Sequence, residues 1–344
     1  MTGLFREFSP GACAALAEHD AESFLAELGQ PSWFRIEGRD RSRVRAVVTL
    51  LHGNEPSGTL AMLRLLQEGV VPEVDLLGCI VRVDLARGPR GLFGQRLGLG
   101  ERDQNRCFIG ASASDRPGLL AAELLALLRQ HRPECVVDLH NTSGAGPAYG
   151  VASLDGPASR TLTSYFSGHM IHTGLRLGTL MEAIEDELPC ATVECGGAKQ
   201  AASHQTAYDG LRALVSARDL WRPQRRVLVH HHPLRVELAP GSRAAYSRSP
   251  VPQADVTLLP DADRHNFQVL PAQSWVGWLG PRGLGALRIR GESGDDRASE
   301  LFVDQAGELH TKVGLRALMV TTDPTIAQSD CLFYVVRLDQ ENRV

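Results

Sequence analysis

Two segments of the sequence place histidines and carboxylates directly after apolar runs. In TLLHGNEPSG, residues 49–58, His52 and Glu55 follow a run rich in valine and leucine, and His140 ends a second such run in VVDLHNTSG. Imidazole nitrogens and carboxylate oxygens are zinc ligands, and catalytic zinc sites take three protein ligands and keep a fourth position open to water. These segments therefore predict a catalytic site in which His52, Glu55 and His140 hold one zinc ion per chain.

The pair His52 and Glu55 also has a purely structural interpretation. His52 would then bond a backbone carbonyl, and Glu55 would cap the following helix. His140 favours the metal site, because ligands of open α/β sheets bind beyond the carboxyl ends of strands. Asp138 points to the same strand face as His140. It either orients that histidine or is a hydrogen-bonded core aspartate, and both readings stay open.

A carboxylate also lies within a third apolar run, ATVEC, at Glu194. Burying an unpaired carboxylate is costly, so the position needs an explanation. A general base beside a zinc-bound water provides one, because it can take the proton of the water and deliver it to a leaving amine. The alternative is a salt bridge to a nearby arginine.

The segment RDQNRCF, residues 102–108, offers a guanidinium next to an amide. Arg106 and Asn105 suit recognition of a substrate carboxylate, although the segment taken alone also fits a surface turn. Arg96, slightly upstream, is the candidate for polarising the scissile carbonyl. Its rivals are Arg87, Arg90 and Arg102.

Two further groups of histidines give weaker signals. The run HHH, residues 230–232, fits an exposed strand or turn better than a site, because consecutive strand residues point to opposite faces and at most two can converge. His169 and His172 lie in a region expected near the pocket, where either is a candidate for a substrate contact.

The elements that position these side chains alternate between strands and helices. Short apolar runs predict buried strands at residues 43–51, 76–83, 135–139 and 191–195, and helical patterns cover residues 58–68, 118–129 and 208–221. This alternation predicts an α/β layer with a largely parallel or mixed sheet. Beyond Arg222 and Pro223 short alternating segments predict a smaller β-rich domain. The predicted domains are residues 1–225, which carry the catalytic residues, and residues 226–344.

Composition and charge exclude several classes of protein. The chain has 344 residues, a net charge of −4 and 22% charged residues, so nothing predicts a nucleic-acid partner. Its seven cysteines form no C-x-x-C pair and predict reduced thiols in the cytoplasm. No apolar run is long enough to predict a membrane span. The expected partner is a small-molecule substrate with a carboxylate, and self-association into a homo-oligomer stays open.

Four motifs, HGNE, DQNR, DLHNT and VECGG, occur in an order that resembles the succinylglutamate desuccinylase and aspartoacylase family, a branch of the zinc carboxypeptidase fold. The resemblance spans about residues 45 to 220. It implies a mixed sheet flanked by helices, with a smaller C-terminal β-rich domain that shapes the substrate channel. For the site it implies zinc on His52, Glu55 and His140, Glu194 as catalytic base, and Asn105 with Arg106 at the substrate carboxylate.

The chain departs from the family pattern in three places. The spacing between Arg96 and Asn105 is about two residues longer. Aspartoacylases carry a substrate-binding tyrosine after a segment similar to LFVDQAGEL, and no tyrosine stands at that place here, which argues against N-acetylaspartate as substrate. The arginine usual shortly before the catalytic glutamate is replaced by the acidic stretch MEAIEDEL, with Arg176 the nearest candidate. An acidic approach would favour an amine or cationic group on the substrate.

The expected function is that of a zinc-dependent amidohydrolase that removes an acyl group from an N-acyl amino acid or a related small amide. A zinc carboxypeptidase acting on short peptides has the same metal chemistry and is the alternative. A non-catalytic metal or metabolite-binding protein is disfavoured, because the metal ligands, the base and the carboxylate clamp are all present.

Overall fold

The computed structural model describes residues 3–110, 114–291 and 294–341. The chain forms two compact units. The first contains the described residues up to Asn141, then Ala148–Met170 and Arg176–Leu228. The second contains Thr142–Pro147, Ile171–Leu175 and the described residues from Val229 onwards. Two short segments that precede residue 226 thus belong to the second unit, which the sequence patterns did not indicate.

A nine-stranded sheet is the framework for the predicted site. Its strands are β1 (Arg6–Phe8), β2 (Ser32–Ile36), β3 (Asp40–Thr49), β4 (Val74–Ile80), β5 (Val136–Thr142), β6 (Tyr149–Ala152), β7 (His169–His172), β8 (Cys190–Gly197) and β9 (Leu228–His231). Their order is β1-β2-β4-β3-β5-β8-β6-β7-β9. β3 is parallel to β4 and β5, whereas β2 is antiparallel to β4 and β6 is antiparallel to β8. The predicted α/β class with a mixed sheet is confirmed.

The central strands are apolar because helices cover them. Every residue of β4 is buried, as are the last six residues of β3. The helices of this part of the chain are α1 (Pro10–Leu16), α2 (Ala21–Leu28), α3 (Ser57–Gln67), α4 (Val83–Ala86), α5 (Arg116–His131), α6 (Pro157–Ser164), α7 (Leu180–Ile184) and α8 (Ala201–Ser216). Strands buried on both faces read as continuous apolar runs, which is why the sequence located them well.

The bounds predicted for the third helix are wrong. A helix was expected over residues 208–221, but α8 spans Ala201–Ser216. Its first turns contain Ser203, His204 and Gln205 and carry no apolar stripe that would have predicted them. At the other end Ala217 adopts an extended backbone, with ψ of 120°, so the helix ends well before Pro223.

The second unit is rich in β-structure. Its remaining strands are β10 (Leu234–Leu238), β11 (Ala244–Tyr246), β12 (Val256–Leu258), β13 (Val269–Leu270), β14 (Trp275–Leu279), β15 (Leu287–Arg290), β16 (Phe302–Gln305), β17 (Glu308–Thr311), β18 (Leu315–Leu318) and β19 (Phe333–Arg337), and its helices are α9 (Ala298–Leu301), α10 (Pro324–Ser329) and α11 (Leu338–Glu341). Two five-stranded sheets result, in the orders β13-β18-β19-β10-β15 and β11-β12-β14-β17-β16. That this unit shapes a substrate channel stays a prediction.

No helix in the described part of the chain is both long enough and apolar enough to span a membrane. The seven cysteines are all buried, and none is in a disulfide bond.

Candidate metal centre

Three neighbouring strands carry the predicted site residues. β3 leads into His52, β5 contains Asp138 and His140, and β8 contains Glu194. Because β3, β5 and β8 are consecutive in the sheet order, residues far apart in the sequence meet in one place. Glu55 lies between His52 and the first turn of α3.

The turn after β3 explains why a glycine follows the first histidine. A Cβ atom on Gly53 would lie 2.4 Å from the Cβ of Leu85 and 2.5 Å from the carbonyl oxygen of Gln95, so a larger residue does not fit there. The backbone N–H of Gly53 also donates to the carbonyl of Arg96 at 3.2 Å. The glycine therefore lets the segment that carries Arg96 pack directly against the turn.

The three predicted ligands lie together and are buried. Their ligand atoms are within 4.8 Å of one another, and the residues are at most 3% exposed. The Nδ1 atom of His52 is 2.9 Å from Oε1 of Glu55, and the Nδ1 atom of His140 is 2.8 Å from Oε2 of the same carboxylate. His52, Glu55 and His140 can therefore hold a metal ion.

Each histidine is oriented by a second carboxylate on its other ring nitrogen. The Nε2 atom of His52 lies 2.8 Å from Oδ1 of Asp103, and the Nε2 atom of His140 lies 2.8 Å from Oδ2 of Asp138. Nε2–H donation to these carboxylates directs both Nδ1 atoms towards Glu55, an arrangement typical of histidines that bind metals. Both readings of Asp138 prove compatible, since it is fully buried and hydrogen-bonded to His140.

One atom in this cluster lacks a hydrogen-bond partner, whose place a metal ion could take. The Nδ1 atom of His52 is buried and makes no hydrogen bond of acceptable geometry, although Oε1 of Glu55 lies 2.9 Å away. Such an orphaned nitrogen is costly in a protein interior unless a ligand satisfies it. A cation shared by His52, Glu55 and His140 would satisfy it.

The electrostatics of the cluster depend on its three carboxylates, its two imidazoles and the nearby guanidinium of Arg96. Burial disfavours the charged form of His140, but the carboxylates of Asp138 and Glu55 outweigh it and raise the pKa of His140 well above the usual value. Burial and Arg96 likewise oppose charging of His52, yet Asp103 and Glu55 raise its pKa. The pKa of Glu55 is lowered well below its usual value despite burial, because both histidines face it. Protons and a metal ion therefore compete for the same imidazoles.

Among the candidate arginines, the structure brings Arg96 to the cluster. Its Nη1 atom donates to Oε1 of Glu55 at 2.6 Å, and its Nη2 atom lies 3.5 Å from Oδ2 of Asp103. Arg102 instead forms a bidentate pair with Asp115 on the surface. The guanidinium of Arg96 thus lies directly beside a predicted metal ligand.

Glu194 is partly buried next to the cluster, and the pKa of its carboxyl group is raised. Burial, reinforced by the negative charge of Glu55, raises its pKa to about 7, while His140 and Arg96 act in the opposite direction. Its Oε2 atom is buried without a hydrogen-bond partner. Over the described residues no arginine forms a salt bridge with Glu194, so the structural alternative for this carboxylate is not observed.

The proposed carboxylate clamp lies on a short 3-10 helix, Gln104–Arg106. Asn105 is buried, and its Oδ1 atom accepts a hydrogen bond from the backbone N–H of Leu180 at 3.0 Å. The Nη1 atom of Arg106 donates to the carbonyl of Asn105 at 2.9 Å. Burial would raise the pKa of Asp103, but His52, Arg96 and, least of all, Arg106 lower it well below its usual value. Substrate binding by Asn105 and Arg106 stays a prediction.

Carboxylates of the acidic stretch before β8 are bound by other groups of the protein. Glu182 accepts hydrogen bonds from the backbone N–H groups of Leu177 and Gly178, both at 3.0 Å. Arg176, the nearest candidate for the missing family arginine, is largely exposed and pairs with Glu185 at 3.0 Å. These carboxylates therefore have protein partners, which weakens the idea that they attract a cationic substrate.

Two positioning residues, Asp103 and Asn141, were not identified from the sequence. Asn141 is buried and binds across three elements: its Oδ1 accepts from Ser57 N–H at 3.0 Å, and its Nδ2 donates to Gly196 O at 2.9 Å. Its backbone N–H lies 3.3 Å from Oε2 of Glu55. Asp103 belongs to the motif DQNR and Asn141 to the motif DLHNT. Their positions in these motifs were the sequence feature that could have identified them.

The fold and the buried ligand set define a class: a mixed α/β protein with a candidate metal centre at the ends of adjacent strands. No protein-family model matches the sequence, and no curated protein sequence matches it either. Solved structures do match, and many of them are succinylglutamate desuccinylase and aspartoacylase structures, so the resemblance seen in the motifs is confirmed at the level of the fold.

Three of these structures show how far the similarity extends. The succinylglutamate desuccinylase from Vibrio cholerae has a TM-score of 0.58 and 14% identity, covering 92% of this chain and 94% of its own. The enzyme of the same name from Chromobacterium violaceum has a TM-score of 0.51 and 18% identity, with 88% and 87% covered. A succinylglutamate desuccinylase/aspartoacylase from Rhodobacter sphaeroides has a TM-score of 0.56 and 15% identity, with 88% of each chain covered. At these identities the similarity establishes the fold.

Proposed function

We propose that the protein is a zinc-dependent hydrolase that cleaves the amide bond of an N-acyl amino acid or a related small amide. The observation that carries the proposal is the buried set His52, Glu55 and His140 next to Glu194, a carboxyl group whose pKa is raised to about 7. Perturbed carboxyl groups beside metal ligands are typical of hydrolytic sites. The names of the structures that share this fold support the same class of reaction.

The donor set favours zinc over other ions. Two imidazole nitrogens and one carboxylate oxygen are ligands that Zn²⁺ accepts readily, whereas Mg²⁺ and Ca²⁺ prefer oxygen ligands throughout. When bound, zinc would supply Lewis acidity to a water molecule and to the carbonyl oxygen of the amide. Asp103 and Asp138 would hold His52 and His140 in the orientation that this requires.

Glu194 would move the proton during hydrolysis. Its Oε2 atom makes no hydrogen bond within the described structure and is therefore available to a water or a leaving nitrogen. A carboxyl group with a pKa near neutrality can both accept and release a proton at the working pH. The pKa of Glu194 would fall in the presence of a nearby dication, which favours the carboxylate form at the start of the reaction.

Two arginines would recognise the substrate. Arg96 lies beside Glu55 and is the group that we assign to polarising the carbonyl of the amide. Arg106, with Asn105, is assigned to the substrate carboxylate, because a guanidinium binds a carboxylate in a bidentate manner.

A hydrolysis screen tests this function. Zinc-loaded, untagged protein is incubated with a panel of N-acyl amino acids and dipeptides, beside His140→Ala and a control, His19→Ala, at a histidine outside the cluster. We expect hydrolysis of at least one N-acyl amino acid by the wild type and by His19→Ala, and none by His140→Ala. Cleavage of dipeptides alone would support a carboxypeptidase instead. No hydrolysis by protein that contains zinc on His52, Glu55 and His140 would contradict the proposal.

A further inference from the structure

A second group of histidines lies outside the candidate metal centre. His172, on β7, and His231, on β9, are hydrogen-bonded to each other, with their Nδ1 atoms 3.2 Å apart. His232 follows directly. The ring centroids are 5.3 Å apart for His172 and His231, 6.2 Å for His172 and His232, and 6.1 Å for His231 and His232. Three imidazoles thus form one compact triangle.

The backbone at His232 makes this convergence possible. β9 ends at His231, and His232 has a φ of 52°, in the left-handed region. In a regular strand the side chains of His231 and His232 would point to opposite faces. The left-handed conformation brings both rings towards His172, while His230 is buried against Phe267 with a ring separation of 5.4 Å. The expectation that consecutive side chains of the run HHH point to opposite faces is therefore wrong at His232.

The distances match those of imidazoles on a shared ion. Two nitrogens bound tetrahedrally at about 2.0–2.1 Å lie roughly 3.3 Å apart, and their ring centroids lie roughly 5.2 Å apart. His172 and His231 already have this spacing, at 3.2 Å and 5.3 Å. The ring of His232 lies further out, at 6.2 and 6.1 Å from the other two, so its exposed side chain would have to rotate to bring a ring nitrogen to the ion.

We infer that His172, His231 and His232 form a second metal site, which binds a late transition-metal ion such as Zn²⁺, Cu²⁺ or Ni²⁺. Imidazole nitrogens suit these ions, and three of them leave a coordination position open. His172 and His231 are partly exposed and His232 is exposed, so an ion can reach them from solvent. The inference is independent of the proposed function, because the two sets of ligands share no residue.

Zinc titration of untagged protein tests the inference, since a histidine tag would bind the same ions. In calorimetry at about pH 7.5, where imidazole is mostly available as a ligand, the wild type should bind two equivalents of zinc and His231→Ala only one. In a His140→Ala background the remaining equivalent reports the second site alone. His172→Ala or His231→Ala in that background should weaken its affinity at least about tenfold. His19→Ala, a histidine elsewhere on the chain, should not change it.

Electron paramagnetic resonance of the Cu²⁺-loaded His140→Ala protein counts the ligands independently. We expect coupling to three nitrogens, and to two after the additional change His232→Ala. The inference is overturned if the wild type binds no second equivalent, or if a second equivalent persists undiminished in the His172, His231 and His232 variants. The number of zinc equivalents and of coupled nitrogens does not depend on hydrolytic activity. A protein that lacks the proposed function could therefore still have the second metal site, and the experiments distinguish the two outcomes.

Discussion

Replacing Glu194 by glutamine removes the proposed base and nearly preserves the shape of the side chain. General acid–base groups contribute about 10²–10⁴-fold to rate, so turnover of the zinc-loaded variant should fall by that order. Glu194 does not belong to the ligand set His52, Glu55 and His140. The variant should therefore keep its zinc and still bind substrate.

The structure also predicts how Glu194→Gln changes the free energy of unfolding, and in which pH range. Burial raises the pKa of Glu194 from 4.5 to about 7. A carboxyl group with a raised folded-state pKa destabilises the protein as pH rises through this window, by about 3 kcal/mol once the pH exceeds the folded-state value. Glutamine has no such penalty. Metal-free Glu194→Gln should thus be more stable than metal-free wild type by up to about 3 kcal/mol near pH 8, and equally stable near pH 4.

Three assays on the same preparations test whether Glu194 is the base and whether its pKa is raised. Urea unfolding of chelator-treated protein at both pH values measures stability, metal analysis measures zinc, and single-turnover kinetics measure the chemical step. Glu18→Gln, at an exposed glutamate, is the matched control and should resemble the wild type throughout. Turnover that survives with zinc in place would show that Glu194 is not the base. A difference in stability between Glu194→Gln and wild type that does not depend on pH would contradict the raised pKa of Glu194.

Further predictions concern the clamp, the orienting carboxylate and the protons. Arg106→Lys keeps the charge but loses the planar fork, so hydrolysis should be impaired, and much less so for an analogue with an amidated carboxylate; equal impairment with both would indicate a structural arginine. Asp138→Asn should weaken zinc affinity about 10–100-fold in competition with a chromophoric chelator, and unchanged affinity would mean that Asp138 does not orient His140. Because the pKa values of His52 and His140 are raised, zinc binding should release protons and weaken as pH falls, which calorimetry in buffers of different ionisation enthalpy measures. Binding that is independent of pH would contradict the competition between protons and metal.

The framework of the site could be predicted from the sequence because its signals are local. Apolar runs predict β3, β5 and β8, and the rule that ligands bind beyond the carboxyl ends of neighbouring strands predicts that His52 and His140 lie together. Glu194 was noticeable for a related reason, since a carboxylate within an apolar strand is costly unless it has a task.

Other features depend on tertiary contacts that leave no local pattern. Asp103 meets His52 from a loop about 50 residues further along the chain, so no spacing rule connects them. The triangle around His232 depends on a single left-handed residue, which the run HHH does not reveal. Arg96 was the candidate from the sequence, but what separates it from Arg102 is a tertiary contact with Glu55 that no local pattern reveals.

Anomalous diffraction from zinc-loaded crystals, recorded on both sides of the zinc absorption edge, tests the central claim most directly. We predict a peak bonded to the Nδ1 atoms of His52 and His140 and to the carboxylate of Glu55, with distances of about 2.0–2.2 Å. Zinc-loaded crystals with no anomalous peak among these three side chains would contradict the account.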